Sequence, residues 1–269
     1  MVVLPSFSEL RAKKTRVLAF NPEEELMVNV KNVLGLCVGV ALCAASAHAQ
    51  TPTPSTEKFF LNVNTGGELA TRTISQASSK DVYGETASMT SQQSIKRGVV
   101  FDFDGGYRVR PDFFAGLLVS SFNVTGDATT SASIPDPLFY NRPKTVTATL
   151  TGLKRTEVAI APHVTWARPL LSDKVDINFS LGIAFIHVSQ DIAGGFDVPN
   201  GTQNATILQR TETKNGTGPL AQIDLVYSFL PKVGVGGFLR YAGAKVDLPS
   251  VPKANIGGMQ AGGGVRLRF

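Results

Sequence analysis

Beyond residue 49 the chain has two histidines, His163 and His187, and no cysteine. His187, Ser189 and Asp191 fall on alternate positions, so an extended strand would put all three on one face. Base, hydroxyl and carboxylate are the residue types of a nucleophilic hydrolase, and this trio is the one candidate for ester or acyl chemistry. Three polar residues at a strand end are also commonplace, so no catalytic residue is assigned. His163 falls in the opposite phase and reads as an interior hydrogen-bonding group. No His pair or carboxylate cluster has ligand spacing, and no helix follows the glycines near 257–264 to form a nucleotide loop. No metal or cofactor site is therefore expected. The richer chemistry lies in charges that alternate with apolar residues: Asp102, Asp104, Arg108, Glu157, Asp176, Asp224, Arg240, Arg266 and Arg268, with Glu68, Asn62, Asn64, Asn178 and Gln222 in the same phase.

Those residues lie on runs with a period of two. Val99, Phe101, Phe103, Tyr107 and Val109 alternate with Asp102, Asp104 and Arg108; Ala221, Ile223, Leu225, Tyr227 and Phe229 alternate with Gln222, Asp224 and Ser228. Such alternation marks strands with one apolar and one polar face. Eight strands are expected, near 58–70, 96–109, 112–124, 154–168, 174–188, 217–229, 232–246 and 255–269. Arg110-Pro111, 169–173 and Leu230-Pro231 form tight links; 71–95, 125–153, 189–216 and 247–254 read as long loops, with 145–151 extending the fourth strand. Alternate short and long connections predict an all-β, eight-stranded antiparallel up-and-down transmembrane barrel. Aromatics near strand ends, including Phe59, Tyr107, Phe113, Trp166, Phe229 and Tyr241, suit interfacial girdles.

The front of the chain supplies an address. Lys31, the apolar stretch 33–45 and Ala47-His48-Ala49 have the form of a secretory signal peptide over 27–49, with cleavage expected after Ala49. Residues 1–26 read as an upstream extension or start-site artefact, and 50–56 as a periplasmic lead-in to a barrel over 57–269. Cys37 and Cys43 fall inside the signal, leaving no thiol or disulfide chemistry in the mature chain. The 26 Lys+Arg and 21 Asp+Glu give a formal net charge of +5, too mild to point to nucleic acid.

The last strand alternates Val265, Leu267 and Phe269 with Arg266 and Arg268. With the signal peptide and the eight strands, this ending resembles the small eight-stranded outer-membrane β-barrels, the outer-membrane protein A/X-type and opacity-like "porin family" group. The resemblance implies a bacterial cell outer membrane location. It further implies an assembly signal at Val265, Leu267 and Phe269, and as partners the barrel-assembly machinery, periplasmic chaperones, outer-membrane lipid and lipopolysaccharide. An eight-stranded interior has room only for side chains, and buried charges must be paired. The acids are therefore expected to pair with Arg240, Arg266 and Arg268 in a lumen that does not conduct. Function would then fall to the extracellular loops, with Leu138, Phe139 and Tyr140 as contact candidates for an unidentified extracellular ligand. The expected role is non-enzymatic, structural or surface-contacting. Two alternatives remain. One is a narrow W-type channel for small hydrophobic solutes lined by Val100, Ile186 and Phe238. The other is a lipid-modifying enzyme using His187.

Overall fold

The structure, a computed structural model, describes residues 57–171 and 174–269. The upstream segment 1–26, the signal peptide 27–49 with Cys37 and Cys43, and the lead-in 50–56 lie outside the described residues. Ten strands form: β1 (Phe59–Glu68), β2 (Arg72–Val82), β3 (Glu85–Ile95), β4 (Val99–Arg110), β5 (Phe113–Ile134), β6 (Lys144–Leu171), β7 (Val175–Asp197), β8 (Thr206–Leu230), β9 (Val233–Leu248) and β10 (Val251–Arg268). All pairings are antiparallel, and eight strands close a ring in the order β1-β4-β5-β6-β7-β8-β9-β10, with β10 returning to β1. The all-β up-and-down barrel of eight wall strands is the fold expected from the alternation.

Strand length departs from expectation. Residues 71–95, read as a loop, form the β2–β3 hairpin, which continues β1 and β4 upward and pairs β3 with the upper half of β5. Most of 125–153 and 189–216 is likewise strand, because β5 and β6 pair as far as Ile134↔Lys144, and β7 and β8 as far as Asp197↔Thr206. These segments carry Ser, Thr and Gln on one face and only scattered apolar residues on the other, so their period of two is hidden from a hydrophobic pattern. Their buried face is nonetheless real: Ala87, Met89, Ala132, Ile134, Ala193 and Phe196 form a second apolar core above the ring. Of the four expected long loops, 247–254 contracts to a turn at 249–250 between β9 and β10.

The wall is inverted relative to a water-soluble protein. Along β8, Pro219, Ala221, Ile223, Leu225, Tyr227 and Phe229 are exposed while Leu220, Gln222, Asp224 and Val226 are buried. Ten residue rises cover about 33 Å along a strand, or about 25 Å along the barrel axis at the usual tilt, which is the height of a hydrocarbon band. Phe101, Phe103, Leu117, Ile160, Leu181, Ile183 and Phe185 continue this exposed belt round the barrel. Near the end carrying the short turns, Phe59 lies 4.9 Å from Tyr107 and Trp166 stacks 5.7 Å from Phe179 (ring centroids). That is where an aromatic girdle is needed.

Candidate functional site

Inward-facing positions gather the charges. Arg240 and Asp102, both 0 % exposed through their side chains, meet at 2.8 Å. Arg240 also donates to Gln260 (3.0 Å) and Gln222 (3.4 Å) and lies over the Phe238 ring. Arg266 grips Asp224 through two donors (2.6 and 2.9 Å) and donates to Asn64 Oδ1. Asn64 Nδ2 in turn donates to Asp102 (2.6 Å). One chain of contacts, Arg240–Asp102–Asn64–Arg266–Asp224, thus crosses the barrel with every charge neutralised, as burial requires. Beside it, Asn62 donates to Asp104 (3.2 Å), and His163 Nε2 lies 3.3 Å from the same carboxylate. Nearer the short-turn rim, Arg268 pairs with Asp176 at 2.6 Å.

Two residues are placed differently from the pattern expected. Arg108 donates to the backbone carbonyls of Glu57 (2.8 Å) and Pro111 (2.7 Å) and stacks over Phe114, so it braces the rim. Glu157 pairs with Arg155, two residues before it on the same face, rather than with an arginine of β9 or β10. Arg155 is fully buried and was missed, although it shares its phase with Glu157 and His163. Parity alone could have found it.

Arg155 and Glu157 belong to a second tier that sequence could not reveal. The outer parts of β9 and β10 leave the wall: β8 pairs with β9 only from Leu220 downward. Val246, Leu248, Val251, Ala254 and Ile256 are buried in one cluster with Ile74 and Ile95 of the β2–β3 hairpin and with Leu118, Ala161, Ile186 and Leu220 of β5, β6, β7 and β8. The β9–β10 hairpin therefore folds across the lumen. It reaches β6, which lies opposite β10 in the ring. There Glu157 accepts from the Gly257 N–H (2.7 Å), and Arg155 donates to the Asn255 carbonyl (3.1 Å). From β2, Arg72 donates to Asn255 (2.9 Å) and to the Gly257 carbonyl, and pairs with Glu68. Arg155 also meets Gln190 (2.6 Å), which donates to Gln93 (3.1 Å). Gly257 (φ 65°) makes the inward bend; a side chain there would meet the Ala242 carbonyl.

A cavity of about 730 Å³ opens at the short-turn end, lined among others by Phe60, Asn62, Asp104, Phe114, Asp224 and Arg266. Arg266 and Asp224, at one end of the contact chain, border it, whereas Asp102, Arg240 and Gln260 do not, so it stops at the first tier. Val100, Phe238 and Ile186, the residues that would line a W-type channel, are buried in the packed interior and do not border this cavity.

The candidate trio on the outer wall does not assemble. His187 Nδ1 lies 2.6 Å from Asn215 Oδ1, while Asp191 accepts from Thr211 Oγ1 (2.6 Å) and the Lys154 N–H (3.2 Å). Among the described residues no group of three or more His, Cys, Asp or Glu is placed to hold a metal ion.

Leu138, Phe139 and Tyr140 sit at the β5–β6 tip, 84 %, 57 % and 80 % exposed. The tip is a built turn. Asp136 Oδ1 accepts from the N–H groups of Leu138 (2.8 Å) and Phe139 (3.1 Å), and Glu85 accepts from Asn141 (3.1 Å). Gln203 donates to the Arg142 carbonyl (3.0 Å), and Tyr83 donates to the Pro199 carbonyl (3.0 Å). Three hairpin ends are thereby tied into one platform. Below it, the outward face of β2, β3, β5 and β6 forms a hydroxyl-rich array, with register rows Ser75–Gln92–Thr129–Thr149, Ala77–Thr90–Ser131–Thr147 and Ser79–Ser88–Ser133–Thr145. Every position but Ala77 and Gln92 is Ser or Thr.

No protein-family model and no curated protein matches the sequence. Among solved structures, the outer membrane protein OprG from Pseudomonas aeruginosa is similar over 80 % of this chain and 97 % of that one, at 8 % identity and a TM-score of 0.49. Neisserial surface protein A aligns over 78 % and 97 % at 15 % identity (TM-score 0.36), and the outer membrane protease OmpT from Escherichia coli over 83 % and 100 % at 11 % identity (TM-score 0.37). The chain is similar to small bacterial outer-membrane β-barrels.

Proposed function

We propose that this protein is a non-enzymatic outer-membrane barrel with a closed lumen, which contacts its surroundings through the platform above the wall. The observation that carries this reading is the division of labour along the axis. Two polar tiers and a crossing hairpin obstruct the interior above the cavity at the short-turn end, while three apolar side chains stand in water on a hydrogen-bonded turn. Holding Leu138, Phe139 and Tyr140 exposed costs hydrophobic free energy that a buried placement would recover, and an ordered exposed apolar tip is a contact feature. A hydrolytic reading lacks a joined base and nucleophile, since His187 is engaged with Asn215. A channel reading would need the residues at Val100, Ile186 and Phe238 to border open space.

The test is retention of cells displaying the protein on protein-coated, lipid-coated and bare apolar supports. Display should raise retention on at least one support, and Leu138→Ser/Phe139→Ser/Tyr140→Ser should return it to background with the heat-modifiable barrel intact. Equal retention by the triple variant would overturn the surface-contact reading.

A further inference from the structure

The β5–β6 tip is carried far above the lipid-facing belt. Val119 is the last large apolar residue on the outward face of β5, and fifteen residue rises separate it from Ile134 at the strand's end. That is about 50 Å along the strand, or close to about 40 Å along the axis at the usual tilt. Leu138, Phe139 and Tyr140 are therefore out of reach of the bilayer that holds their own barrel. At the tip the two signs of charge are placed differently. The carboxylates of Asp136 and Glu85 are both turned to backbone N–H groups, those of Leu138, Phe139 and Asn141. Arg142 and Lys144 are exposed, and among the described residues neither pairs with a carboxylate. The Arg142 guanidinium carbon lies 5.5 Å from the centre of the Phe139 ring, so a cation stands directly beside the apolar group. Of the other charges on these hairpin ends, Lys80 is paired with Asp197 (3.4 Å), and Asp81 lies on β2, two strands from β5.

We infer that the turn carrying Leu138, Phe139 and Tyr140 inserts into the anionic bilayer of an apposed cell, with Arg142 and Lys144 at the level of its phosphates. The inference rests on the surface-contact reading above and names the partner of that same site. Area separates a bilayer from a protein as the partner. A stable protein interface covers about 800 Å² on each side, whereas the three side chains of this turn offer roughly 500 Å² even when fully covered. The sheet face beneath them adds hydroxyls rather than further apolar surface. A bilayer sets no minimum area, because each inserted side chain gains its own transfer free energy. The residue types also match depth. Leucine and phenylalanine suit the acyl region, and the tyrosine ring with its hydroxyl suits the interface. Arginine and lysine lay their stems along apolar groups while the charge meets phosphate. Asp136 already holds the turn in shape through two N–H groups, so little ordering remains to oppose insertion.

The test holds the protein in nanodiscs, which fix its own membrane, and measures binding to separate vesicles of phosphatidylcholine with and without phosphatidylserine. The parent should bind the phosphatidylserine vesicles more tightly, and less so as salt is raised. Arg142→Gln/Lys144→Gln should lose on the order of thirtyfold in apparent affinity for them, whereas Lys58→Gln/Lys232→Gln, near the opposite rim, should leave it unaltered. In Trp166→Phe/Tyr140→Trp the emission should move to shorter wavelength when vesicles are added, as the new indole leaves water. No such shift, or equal binding by the two cation variants, would overturn the inference. Displaying cells that are retained on protein-coated supports but not on lipid-coated ones would also overturn it, while leaving the surface-contact reading in place. That reading falls by itself if Leu138→Ser/Phe139→Ser/Tyr140→Ser is retained as well as the parent on every support.

Discussion

Arg240→Met isolates the energetic logic of the lumen. Methionine keeps most of the side-chain volume but removes the cation 2.8 Å from Asp102, at a site where neither side chain is exposed. Asp102 keeps the Asn64 Nδ2 donor at 2.6 Å, yet its charge is left buried without a counterion. Breaking a buried pair in this way costs about 3–5 kcal/mol, or roughly two to three and a half powers of ten in the folding equilibrium. Asp102→Asn/Arg240→Met removes the stranded charge. It should recover most of the loss, leaving about 1–3 kcal/mol for the donors withdrawn from Gln222 and Gln260 and for the contact with Phe238. The assay is equilibrium urea unfolding in lipid vesicles, followed by the emission of Trp166, the chain's single tryptophan. A double variant no more stable than Arg240→Met, or single changes that simply add, would refute the ion-pair reasoning.

Further outcomes follow from the crossing hairpin and the seam. Gly257→Val places a side chain against the Ala242 carbonyl at a φ of 65°, so the inward bend should fail and bilayer openings should become frequent, while Gly67→Ala, on the outer face, should stay silent. Arg155→Met strands Glu157 and removes the contact with Asn255; unfolding should shift by about 3–5 kcal/mol, and protease should reach the 249–250 turn, as mapped by mass spectrometry of the fragments. Removing Phe269 deletes three backbone hydrogen bonds that close β10 against the start of β1 (2.6, 3.0 and 2.9 Å). At about 0.5–1.5 kcal/mol each, their loss should lower the yield of heat-modifiable barrel on refolding.

What the sequence made legible was the wall. Asp102, Asp104, Asp224, Arg240 and Arg266 fall in phase with one another and out of phase with exposed Phe101, Phe103, Ile223 and Leu239, and a period of two survives any register. The β2–β3 hairpin was not legible. Its inward face mixes Ile74, Ala87 and Met89 with Gln76, Ser91 and Gln93, so polarity does not mark the phase. The second tier was hidden for a different reason. Nothing local in 246–256 says that this hairpin leaves the wall, because its partners, Arg72, Arg155 and Glu157, are brought to it only when the ring closes. Arg155 alone was readable, since it shares a phase with Glu157.

The most direct test of the closed lumen is single-channel recording from the purified protein in planar bilayers. A closed baseline with rare, small openings is expected, because the Arg240–Asp102 tier and the crossing hairpin both obstruct the path. Steady, large conductance would contradict it and would make the interior a pore.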